Sequence, residues 1–133
     1  MTGDLESDVE ALADWWSTHS ASVTDDVHGL WFGLVDLVTN GGDPRHTMYV
    51  AGTPSFDPDD GGDWACEYVW EPTDQYVKLD GLSDIAAADW QAAVQHAVAL
   101  VSEVKPWLTC PHDLRGVGVG FDDGDVHVVW TSA

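Results

Sequence analysis

The chain has 133 residues, the usual length of one domain and enough to bury a core. Twenty-four Asp and Glu stand against four basic residues, Arg45, Lys78, Lys105 and Arg115, for a formal net charge of −20 with histidine neutral. That charge repels phosphate backbones and anionic lipid surfaces, so it argues against nucleic-acid and membrane partners and favours a cation or a basic protein.

The first predicted element is a helix. Ser7 and Glu10 stand in capping-box spacing, and Asp4, Glu6 and Asp8 place negative charge near the positive end of the helix dipole. Leu5, Val9, Leu12 and Trp16 fall on one stripe, which reads as core contact. Adjacent Trp15 points about 100° away from Trp16, so it is expected to be an exposed aromatic. The helix should fade near Ser17–Ser20, where hydroxyl side chains compete for backbone hydrogen bonds.

From His28 to Val38 the apolar, β-branched and aromatic run reads as a strand. The turn-forming stretch Asn40-Gly41-Gly42-Asp43-Pro44 would join it to a second, antiparallel strand from His46 to Ala51. Thr53–Asp63, with its prolines, glycines and aspartates, is a loop that Phe56 is expected to pin to the body. Trp64–Trp70 reads as a strand with Trp64, Cys66, Tyr68 and Trp70 on one face, and Gln75–Leu79 as a further short strand.

A long helix is expected from Ser83 to Val104, with Trp90, Val94, Ala97, Val101 and Val104 on its core face. Pro106 disfavours helical geometry at Lys105 and ends it. Arg115–Phe121 and Asp125–Trp130 then form a hairpin. Gly116, Gly118 and Gly120 leave one face of the first of these strands as bare backbone, with room for a close neighbour such as the long helix. The predicted fold is a single α+β domain over 1–133, in the order α-β-β-β-β-α-β-β. Its sheet is mostly antiparallel, of about five to six strands, with helices on one face.

No pattern of catalytic or cofactor chemistry stands out, so no enzyme, cofactor or metal site is predicted. Asp57–Asp63 is similar to a calcium loop, but an EF-hand count from Asp57 puts Tyr68 where the bidentate Glu belongs, and a strand is expected to follow. Asp122, Asp123 and Asp125 fit a hairpin tip on turn preference alone. The six histidines show no metal spacing, Cys110-Pro111-His112 is an isolated pair, and no nucleophile elbow or dinucleotide fingerprint occurs. Two cysteines, Cys66 and Cys110, are too few for a disulfide scaffold. With no signal-like opening and no apolar run of about 20 residues, the expected location is cytoplasmic.

Three stretches carry a family likeness: Tyr49-Val50-Ala51-Gly52 followed by Phe56-Asp57, then Asp63-Trp64-Ala65-Cys66, then Gly120-Phe121-Asp122-Asp123-Gly124-Asp125. Together they resemble small acidic bacterial immunity proteins of polymorphic toxin systems, loosely over 46–130. The resemblance implies a protein that neutralises a cognate toxin by direct binding, and it transfers no residue-level role. The residues expected to meet such a partner are Trp15 and the acidic loop positions Asp57, Asp59, Asp60, Asp63, Asp122, Asp123 and Asp125. Two other classes stay open: a salt-adapted or calcium-responsive structural protein, and an enzyme with an unrecognised site.

Overall fold

The computed structural model describes residues 2–37, 45–57, 59, 63–72, 76–77, 79–85, 88–104, 115–121 and 126–131. Helix α1 spans Thr2–His19 and runs into a 3-10 turn at Ser20–Ser22. Strands β1 (Gly29–Leu37) and β2 (Arg45–Thr53) follow, then a 3-10 turn at Asp63–Cys66 and strand β3 (Tyr76–Val77). Helix α2 is a single turn, Asp80–Ser83, and α3 spans Trp90–Val104. The chain closes with β4 (Gly116–Phe121) and β5 (His127–Thr131).

The strands form one sheet in the order β3-β2-β1-β4-β5. The α+β class holds, as do both predicted hairpins: β1 pairs antiparallel with β2, and β4 with β5. The sheet is nevertheless mixed, because β1 and β4 run parallel from Gly29↔Gly116 to Leu34↔Phe121. Parallel neighbours need a long crossover, and here the chain returns through β2, β3, α2 and α3 before entering β4. The expected turns at 40–44 and 122–125, the stop at Pro106 and the Cys110–His112 pair lie outside the described residues.

Strand β1 is central and covered on both sides, which accounts for its nearly continuous apolar run. Leu30, Phe32 and Leu34 face the helices together with Met48, Val50, Val117 and Val119, and meet Leu12, Trp16, Ala97, Leu100 and Val101 in the main core. Trp31, Tyr49, Trp64 and Ala65 form a second cluster on the opposite face, with Val35, Phe56 and Tyr68 packed against it.

Three expectations need correction. Trp64–Trp70 is not a strand: its start coils as a 3-10 turn, Cys66 is exposed, and only Trp70 makes a bridge, to Gly52. Alternation alone misled here, because Trp64 is held by the sheet's glycine face rather than by a ladder of its own. The long helix begins at Trp90, not Ser83. Asp89 accepts a hydrogen bond from the Ala92 amide, as an N-cap residue does, and starts a new helix after α2. Trp90 therefore overhangs the core and is 62% exposed instead of buried.

The bare glycine face of β4 is filled, though not by α3. A Cβ at Gly116 would overlap the Phe56 ring, and one at Gly118 would come within 2.7 Å of Trp64. On β1, Gly33 gives the same room to Tyr49. Phe56 does pin its loop to the body: its ring meets Trp64 edge-on at 4.7 Å. The glycines let aromatic side chains lie against backbone, so the loop becomes a second layer over the sheet.

Candidate partner-binding surface

Acidity is a property of the surface. Every carboxylate whose burial is described is exposed except that of Asp8, which is 1% accessible. Asp57, Asp59 and Asp63 are all exposed on the loop that covers the second face of the sheet. The Asp57 carboxylate accepts the Asp59 amide at 2.9 Å, a local Asx turn that stiffens the loop. Beside it, Ser55, Asp63, Trp64, Cys66 and Glu67 line an open depression of about 420 Å³. Asp60, Asp122, Asp123 and Asp125 lie outside the described residues. Among the described residues, no three His, Cys, Asp or Glu gather closely enough to hold a metal ion.

Trp15 is not the exposed aromatic that its position beside Trp16 suggests. It is 9% accessible and belongs to the main core. The 100° separation is a property of the helix, but Trp70 packs edge-on against both rings, with centroids 6.5 Å from Trp15 and 6.2 Å from Trp16. Trp70 is itself held by a hydrogen bond from its indole N–H to Ser22 Oγ at 3.1 Å. Trp15 thus lies on the helix side of the sheet and the Asp57–Asp63 loop on the other; the structure does not join them into one patch.

What Trp15 does contribute is the wall of a groove. His19 stacks on it with ring centroids 4.3 Å apart and donates from Nδ1 to the Trp15 carbonyl at 2.8 Å. Ala11, Asp14, Trp15, Thr18 and His19 from α1, with Tyr76 and Val77 from the outermost strand β3, line an open groove of about 440 Å³. Tyr76 is 47% exposed and Asp14 is exposed. The i, i+4 spacing of Trp15 with His19, and of Asp14 with Thr18, was the only sequence signal for this surface.

Sequence reasoning also missed the one carboxylate that is buried among the residues whose burial is described. Asp8 Oδ1 accepts the Gly81 amide at 3.0 Å, and Oδ2 accepts the Leu82 amide at 2.9 Å and His96 Nε2 at 2.7 Å. A side chain on α1 therefore caps α2 and ties down α3. Both carboxylate oxygens are consumed by these bonds, which makes the Asp8–His96 pair a clasp between three helices. At the far end of α2, Arg45 Nη1 donates to the Ser83 carbonyl at 3.2 Å. His46, fully buried, has Nδ1 2.7 Å from Asp36 Oδ1 of the paired strand, a close contact between the ring and a carboxylate.

No family model, no curated protein and no solved structure matches the chain. No helix among the described residues is long and apolar enough to cross a membrane.

Proposed function

We propose that this chain is an acidic protein-binding domain that neutralises a basic protein partner by covering its working surface, as an immunity protein does to a cognate toxin. The observation that carries the reading is where the charge sits. The chain carries a net charge of −20, and among the residues whose burial is described every carboxylate but that of Asp8 is exposed. Against it, the two described arginines are exposed and Arg45 is already tied to the Ser83 carbonyl.

Such a surface attracts a cationic cleft over long distances and accelerates encounter by steering. A toxin that acts on nucleic acid has a cleft of that sign, and a polyanionic protein can occupy it in place of the substrate. On the sheet's second face, Phe56 and Trp64 pack against each other beside Asp57 and Asp63, which gives those two carboxylates a packed base.

The test is co-expression with the product of the adjacent gene, followed by association kinetics over a salt series. The association rate should fall on the order of tenfold or more between low and physiological ionic strength. A complex whose formation ignores salt, or no complex with a basic partner, overturns the reading.

A further inference from the structure

The groove between α1 and β3 combines three features that all select for positive charge. Asp14 supplies an exposed carboxylate at its wall. Trp15, His19 and Tyr76 supply aromatic lining, and ring faces attract a cation through their quadrupoles. The residues from α1 come from its last turns before the helix ends at His19, where the helix dipole is negative.

Among the described residues, no lysine or arginine lines the groove. His19 is committed through Nδ1 to the Trp15 carbonyl, so in its neutral form the remaining ring nitrogen is an acceptor, not a donor. Asp14 and the negative end of the helix dipole disfavour an anion there, and a purely apolar group would leave Asp14 facing it. The shape is an open cleft at the sheet's outer edge, reachable by a side chain projecting from another molecule.

We infer that this groove is the seat for one arginine or lysine side chain of the basic partner. The inference rests on the reading of the chain as a binder of basic proteins, and it adds a defined anchor point to a diffuse field. Trp15, buried and packed by His19 and Trp70, forms a fixed wall, and the exposed ring of Tyr76 offers the surface that attracts the cation. Tyr76 and Asp14 close over the cationic head from the strand and helix sides.

The experiment titrates the full chain with acetyl-Gly-Arg-Gly-amide and with the same peptide carrying citrulline, which keeps the shape and removes the charge. Backbone amide and tryptophan indole N–H resonances report the binding. The arginine peptide should produce saturable shifts centred on 14–19 and 76–77, and the citrulline peptide should not. Asp14→Asn and Tyr76→Ala should each weaken binding about threefold or more, whereas Asp57→Asn, which removes the same charge from the far face, should leave it unchanged.

Equal weakening by Asp14→Asn and Asp57→Asn, shifts scattered over the acidic surface, or equal response to citrulline would overturn the inference. Those outcomes leave the broader reading standing, because a salt-dependent complex with a basic protein does not require the groove. Loss of that complex would remove the broader reading by itself.

Discussion

Taking away the Asp8 carboxylate would open three hydrogen bonds at once: two amides at the start of α2 and the His96 ring. Breaking a buried pair by deleting one partner is costly because the remaining groups stay buried and unsatisfied. Asp8→Ala should lower unfolding stability by about 3 kcal/mol or more. Asp8→Asn should not restore it, since the amide nitrogen is a donor placed where donors already point. Urea unfolding measures this: the midpoint falls while the slope is kept. If Asp8→Asn matched the parent chain, the residue would be a shape filler and not a clasp. Nothing in the sequence announced this role. Asp8 lies one position from Val9 on the core stripe, and read alone it fits the negative charge expected near a helix start. Its partners are 73 to 88 residues away, so only the fold brings them together.

The elements were legible where neighbours in sequence are neighbours in space. Strands β1 and β2, and β4 and β5, were found with their pairing because the partners in each pair follow one another along the chain. The parallel β1–β4 seam was not, since no local pattern encodes which hairpin edges meet. The glycine strand was half legible: the bare face was evident, but its occupants, Phe56 and Trp64, come from a loop far away in sequence. Helix α3 shows how a cap outweighs periodicity. Trp90, Ala93, Ala97, Val101 and Val104 keep core spacing, yet Asp89 starts the helix so late that Trp90 projects past the packed layer. Trp90→Ala should therefore change stability by no more than about 0.5 kcal/mol. Leu100→Ala, fully buried on the same helix, should cost roughly 2–5 kcal/mol. Thermal melts of the two variants separate the cases; a large loss at Trp90 would place that ring under cover.

At the scale of the whole molecule the dominant quantity is the uncompensated charge, with 24 acidic groups against four basic ones. Like charges on a compact surface repel one another, and unfolding lets them move apart, so the charge opposes the fold to a degree set by screening. Raising the ionic strength from about 0.01 M to about 0.15 M shortens the screening length from roughly 30 Å to roughly 8 Å. If that relieves about 1–2 kcal/mol, the melting temperature should rise roughly 4–8 °C. A midpoint that falls with added salt would mean that favourable ion pairs outweigh the repulsion, against the scarcity of lysine and arginine. Divalent cations sharpen the same experiment. Calcium and magnesium at equal concentration screen alike, so the two should give the same midpoint if the carboxylates act only as a diffuse field. An added rise with calcium alone, growing with the logarithm of its concentration, would mean that the folded chain binds the ion specifically, because a ligand that binds only the folded chain stabilises it in that way. The acidic surface would then serve a cation as well as a protein, and the salt-dependent association proposed for the partner should be measured again with calcium present.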